Sequence, residues 1–228
     1  MNRGARAKED NAATVNAAPF VPRSATLNEL RVAAQGCRGC ELYRHATQAV
    51  LGEGRSGARI VMIGEQPGDK EDLAGRPFVG PAGRLLDRAL LEAGISRDDV
   101  YITNAVKHFK FEERGKRRIH KKPSGAEIAA CMPWLEAELT CVRPEMIVCL
   151  GATAAQAMID RQHRVLKDRG RFFDRPAGGK ITATVHPSAV LRSPDPARRH
   201  DEYAAFVKDL KTVKRMLNKL AHGATHAL

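Results

Sequence analysis

Three stretches of this chain hold side chains whose types and spacing suit chemistry on a bound ligand. The first is Gly64–Gly83, GEQPGDKEDLAGRPFVGPAG, which carries Glu65, Gln66, Asp69 and Asp72 and presents Phe78 between Pro77 and Val79. The second is Lys107–Pro123, KHFKFEERGKRRIHKKP, where Lys110, Arg114, Lys116, Arg117, Arg118, Lys121 and Lys122 crowd around Phe109, Phe111 and His120. Aromatic rings interleaved with Lys and Arg suit a phosphate backbone together with an unstacked base. A solvated hairpin or a localisation-type basic patch is the competing reading of the same residues. The third stretch is His186-Pro187-Ser188, followed by Leu191-Arg192-Ser193-Pro194. A separate motif, Cys37-Arg38-Gly39-Cys40, has a spacing shared by redox pairs, zinc sites and iron–sulfur clusters, and only further ligands decide among them.

Apolar runs set these residues at the ends of strands. Arg59–Ile63 is short and β-branched, as a buried parallel strand is. It empties into Gly64–Gly83, a connection far longer than the usual 2 to 6 residues, which reads as one wall of a pocket. Val100–Thr103 is a second strand and delivers Asn104 to the same edge. Met146–Leu150 is a third, after which Gly151-Ala152-Thr153 opens a helix of small residues; Gly151 alone is a weak phosphate-loop signal. Ile181–Val185 is a fourth and ends in His186. Helices are expected over Leu27–Ala34, Gly83–Ala93, from Ser124 to about Thr140 with Glu127 at the capping-box position, and over Asp201–Leu220. Residues 161–179 read as a β-excursion around Arg171-Phe172-Phe173, and Trp134 as a core residue. The fold class is therefore α/β: a three-layer α/β/α sandwich with a central, mostly parallel four-stranded sheet. Three strand ends, bearing Glu65 and Gln66, Asn104 and His186, converge as a polar-lined ligand pocket requires.

With 228 residues and 43% hydrophobic content the chain suits one domain over 25–222, between a flexible N-terminal tail, 1–24, and a C-terminal tail, 223–228. The formal net charge of +12 favours an anionic partner, nucleic acid first. No apolar run approaches the ~18 residues of a membrane helix, and the N-terminus lacks the apolar core of a secretory signal, so a cytoplasmic monomer is expected. Five cysteines, an odd number, fit a reducing compartment and a metal site better than a disulfide framework. Cys149, within an apolar run, reads as a small core residue.

GEQPG at Gly64–Gly68 with GRPFVGPAG at Gly75–Gly83, and HPSAVLR at His186–Arg192, together resemble the uracil-DNA glycosylase superfamily. The resemblance spans about Leu27 to Leu220. The CxxC at Cys37 and Cys40 is similar to the cluster-bearing branches, which hold a [4Fe–4S] centre. Their third ligand, a Cys soon after the second strand, is here His108, and the fourth would be Cys131. That departure, with KRRIH at Lys116–His120, resembles the UdgX branch, whose members excise uracil and stay covalently attached to the sugar through the histidine of that insertion. Zn²⁺ at Cys37, Cys40, His108 and Cys131 is the alternative on ligand chemistry, because Cys₃His is a common zinc set.

The resemblance implies roles that simple chemistry supports. An enzyme attacking the bond between base and sugar must flip the nucleotide or use single strands, and single-stranded uracil-containing DNA is the expected preferred partner. Phe78 would stack on uracil, while Asn104 and Gln66 would meet its polar edge. His186 would donate to uracil O2 as negative charge develops there. Catalysis would fall to Glu65, His120 and His186, with His120 attacking C1′ and Glu65 accepting a proton or orienting the imidazole. Lys116, Arg117, Arg118, Ser188 and Arg192 would hold DNA phosphates, and Arg118 could instead anchor its loop on carboxylates.

Overall fold

The computed structural model describes residues 16–225. In chain order the elements are α1 (Leu27–Ala34), β1 (Ile60–Gly64), α2 (Asp69–Ala74), α3 (Pro81–Glu92), β2 (Val100–Asn104), β3 (Phe111–Arg114), β4 (Arg117–His120), α4 (Gly125–Val142), β5 (Met146–Leu150), α5 (Ala152–Met158), α6 (Val165–Asp168), β6 (Phe172–Asp174), β7 (Lys180–Thr184), α7 (Pro187–Leu191) and α8 (Pro196–Thr225). The main sheet has the order β2-β1-β5-β7-β6. It has five strands, not four: β2, β1, β5 and β7 run parallel, and β6 is added antiparallel to β7 through Phe172↔Thr182 and Phe173↔Ile181. A three-residue strand carries no readable period of its own. Its strand character comes from the neighbour it pairs with.

Alternation along the strands divides the core into two layers. Ile60, Met62, Val100, Ile102, Met146 and Val148 join Leu86 and Leu90 of α3 and Phe206, Leu210 and Leu217 of α8 on one face. Val61, Ile63, Tyr101, Ile147 and Cys149 join Leu135 of α4 and Ala154 of α5 on the other. The apolar stripe of α8 is thus core packing, and the helix begins five residues before its expected start because Pro196 suits a first helical turn. It also runs through Thr225, past the expected 222 boundary. A third cluster joins α1 to α4 and includes Cys37, Cys131 and the fully buried Trp134. Ala17 belongs to it, and its N–H bonds to the Ala130 carbonyl at 2.8 Å, so residues 16–24 of the expected tail follow the domain surface. Residues 1–15 and 226–228, the rest of both expected tails, lie outside the described residues.

The segment after β2 is fixed by a buried ion pair. Lys107 Nζ meets Glu138 Oε2 at 2.5 Å, with both side chains sealed from solvent. Lys107 also donates to the Asn104 carbonyl, and Glu138 accepts from Tyr101, Thr103 and the Gly52 N–H. Every charge is therefore partnered, the condition under which such a pair is tolerable. Glu138→Ala leaves the Lys107 ammonium uncompensated and is expected to cost about 3–5 kcal/mol. A denaturant midpoint unchanged from wild type would contradict this.

Candidate active site

The carboxyl ends of β1, β2, β5 and β7 open into a cleft of about 870 Å³ lined by Glu65, Gln66, Phe78, Asn104, His120, Thr153 and His186 among others. The register explains the convergence, for Gly64 pairs with Asn104 across β1 and β2 while Leu150 pairs with Thr184 across β5 and β7. Gly64 keeps the floor open: a Cβ there would stand 2.3 Å from Asn104 Oδ1 and 2.8 Å from Phe78 Cζ. Phe78 has φ +56°, a left-handed conformation that is strained for a bulky residue and aims its ring into the cleft, 5.7 Å from the His186 ring. The long connection is less loose than its Gly and Pro content suggests. It contains α2, and Glu71 accepts from the Gly68 and Gly80 N–H groups, stitching the two ends together.

Asn104 is buried and its Oδ1 has no hydrogen-bond partner. An orphaned acceptor lining a cleft asks for a ligand N–H. His186 starts α7, and its Nδ1 accepts the Ser188 backbone N–H at 3.1 Å. An accepting Nδ1 leaves the ring proton on Nε2, as a donor. Burial of the ring, reinforced by Arg192 and His120 and opposed by Glu65, pushes its pKa down to about 4. His186 is thus a neutral donor at physiological pH. The Ser188 hydroxyl lies between His186 Nδ1 and Arg192 Nη1, so it joins these two residues before any phosphate arrives.

His120 ends β4, paired with Phe111 in a two-stranded hairpin. Its Nε2 is 3.3 Å from Glu65 Oε1, and half of its side chain stays exposed. The other Glu65 oxygen accepts from the Thr153 hydroxyl. Burial alone would raise the Glu65 pKa, but the hydrogen bonds from His120 and Thr153 and the charges of His120 and Lys122 outweigh it, so the carboxyl stays below its ordinary range.

Two expected ligand contacts take other roles. The Gln66 side-chain amide, expected on a bound base, donates to the Lys110 and Lys121 carbonyls and accepts the Lys110 N–H, clamping the root of the hairpin. Arg118, expected on phosphate, meets Asp69 and the buried Asp72 at 2.6 Å each and lies over the Phe109 and Phe111 rings at 5.5 and 5.0 Å. A guanidinium so engaged anchors β4 on α2, the loop-anchoring role its sequence also allowed. Lys116 and Arg117 remain exposed at the hairpin tip, and Arg192 at the cleft rim. Thr153 was legible in the sequence only as part of a small-residue helix. The signal that finds it is the strand order, which sets β5 between the strands that deliver Glu65 and His186.

Cys37 and Cys131 are buried and Cys40 is half-buried, and the three thiols are close enough to act on one another electrostatically. Trp134 Nε1–H donates to Cys37 Sγ at 3.1 Å, and the Lys107 N–H to Cys131 Sγ at 3.2 Å. Donors aimed at sulfur suit thiolate ligands. Burial holds the His108 pKa down to about 4, so its ring is neutral, as a ligand must be. Among the described residues no group of three or more His, Cys, Asp or Glu is drawn together as a single metal ion would need. The donor chemistry, three thiols and a neutral imidazole, fits a thiolate-bound iron–sulfur cluster and Zn²⁺ alike.

Residues 51–211 match the family model for the uracil DNA glycosylase superfamily. The chain is 39% identical over 184 residues to a type-4 uracil-DNA glycosylase of Thermotoga maritima, covering 80% of this chain and 90% of that protein. A type-4 uracil-DNA glycosylase of Archaeoglobus fulgidus is 36% identical over 181 residues, 76% of this chain and 86% of the relative. A type-5 uracil-DNA glycosylase of Pyrobaculum aerophilum is 31% identical over 153 residues, 58% of this chain and 62% of that one.

Proposed function

Because the chain belongs to the uracil-DNA glycosylase superfamily, we propose that it excises uracil from DNA and that His120 then captures the sugar at C1′ in a stable covalent adduct, as in the UdgX branch. The observation that carries the capture step is the His120 Nε2 to Glu65 Oε1 approach of 3.3 Å within the cleft that also holds the orphaned Asn104 Oδ1. Flipped uracil stacks on Phe78, and its N3–H supplies the donor that Asn104 Oδ1 lacks. As the N1–C1′ bond breaks, its electron pair leaves with uracil. His186 Nε2–H stabilises the charge on O2 without having to give up a formal positive charge. One His120 ring nitrogen gives its lone pair to C1′ and the other passes its proton to Glu65, which gives it up through solvent to the uracil anion, so the products are adduct, neutral uracil and Glu65 again ionised.

A second reading is an ordinary multiple-turnover glycosylase, in which water replaces His120 at C1′ and Glu65 takes its proton. The similarity to type-4 uracil-DNA glycosylases favours it. The exposed KRRIH hairpin, with His120 turned toward Glu65, favours capture. A denaturing gel with uracil-containing single-stranded DNA separates them. A heat-stable shifted band supports capture, abasic product in excess over enzyme supports turnover, and unaltered DNA leaves a DNA-binding module.

Lys116, Arg117, Ser188 and Arg192 are the proposed phosphate contacts, the last two lining the cleft and the first two exposed on the hairpin that carries His120. Single strands are the proposed preference, since no stack need be broken. We further propose a [4Fe–4S] cluster held by Cys37, Cys40, His108 and Cys131, in a single monomeric domain acting in the cytoplasm. The cluster would supply a structural tie between the N-terminal segment, the hairpin root and α4. Iron and zinc analysis of the purified protein tests this, and zinc without iron would overturn it.

A further inference from the structure

We propose that Thr153 is a positioning residue for the capture step: its hydroxyl holds one oxygen of Glu65 so that the other faces His120. The inference rests on the capture reading above. A glutamate side chain at the end of a strand has three rotatable bonds, and a carboxylate free to swing would face His120 only part of the time. Here both oxygens are committed, Oε2 to the Thr153 hydroxyl and Oε1 to His120 Nε2 at 3.3 Å. Thr153 is itself buried, on the first turn of α5, so its rotamer is held by packing.

The turn that delivers Thr153 also touches the other catalytic arm. Gly151 has φ +93°, which favours glycine, and a Cβ there would stand 3.0 Å from His186 Cβ. β5 lies between β1 and β7, so its exit sits between Glu65 and His186. One strand end thus makes room for His186 and, two residues later, fixes Glu65. The charged and titratable groups facing Glu65 are His120, Lys122 and His186, and Thr153 is the neutral donor among them. That makes its contribution separable by substitution.

The test follows single-turnover adduct formation on uracil-containing single-stranded DNA across pH for wild type, Thr153→Val and Thr153→Ser. Thr153→Val keeps the shape and removes the donor, and is expected to slow adduct formation by about 10- to 100-fold. Losing a donor that favours the ionised carboxylate moves the acid limb of its pH profile to higher pH. Thr153→Ser, which keeps the hydroxyl, is expected to restore both rate and profile. A Val variant with wild-type rate and profile overturns the inference, as does a Ser variant as impaired as Val, which would assign the effect to the lost methyl. Wild-type protein that forms no adduct overturns the capture reading itself.

Discussion

His120→Ser is expected to remove the heat-stable protein–DNA band completely while uracil release continues. In the proposed reaction the two steps use different residues: breaking the N1–C1′ bond would depend on the leaving uracil, assigned to Phe78, Asn104 and His186, whereas His120 stands beside Glu65 in the same cleft. Serine lacks an imidazole lone pair but leaves room beside Glu65, and water entering that room finds a carboxylate kept ionised by Thr153 and Lys122. On the proposed capture reading, the variant is therefore expected to release abasic product over many turnovers where wild type stops at the adduct, read as uracil freed per enzyme exceeding one. The fold should persist, because the hairpin is held by Gln66 and by Arg118 on Asp69 and Asp72 rather than by His120. Retention of the band in His120→Ser would exclude His120 as the nucleophile. Loss of both band and uracil release would join the residue to bond breaking instead.

His186→Ala is expected to lower the rate of uracil release by about 10² to 10³, the usual effect of deleting one donor to a developing oxyanion. The donor is already aimed, because the Ser188 N–H occupies Nδ1 and leaves the proton on Nε2. No reorganisation is needed as the charge appears. The pH dependence follows from the direction of the shift. Folding lowers the His186 pKa to about 4 from an ordinary value near 6.5. The folded state thus binds fewer protons than the unfolded one between those values. The stability associated with this residue is fully present above about 6.5 and is lost as pH falls toward 4. His186→Ala should therefore be slower at neutral pH yet lose less stability than wild type between pH 6.5 and 4. Uracil release within a factor of about three of wild type would remove His186 from the oxyanion role, and identical acid sensitivity would remove its part in the pH dependence.

Some of this was written in the order of the residues. Short apolar runs of β-branched residues identify strands because both faces are buried, and four of them were located to within a residue at each end. Ser124 with Glu127 announced the start of α4, and the capping box forms. Glu65, Asn104 and His186 lie at or within two residues of the ends of apolar strands, so a parallel sheet had to bring them to one edge. Local pattern is sufficient for these features because strand burial and helix capping depend on neighbours in the sequence.

Only the tertiary structure decided which polar groups were already spent. Gln66 and Arg118 carry the right chemistry for a base and a phosphate, yet the hairpin root and two carboxylates on α2 take them. β6 became a strand by pairing with β7, and Thr153 became a partner of Glu65 because β5 lies between two strands distant in sequence. A side chain's type is local, but its hydrogen-bonding capacity is finite and is consumed by whatever folding brings within about 3 Å. The sequence by itself therefore determined the kind of sheet and the residues at its edge, while packing determined which of them remained free to meet a ligand.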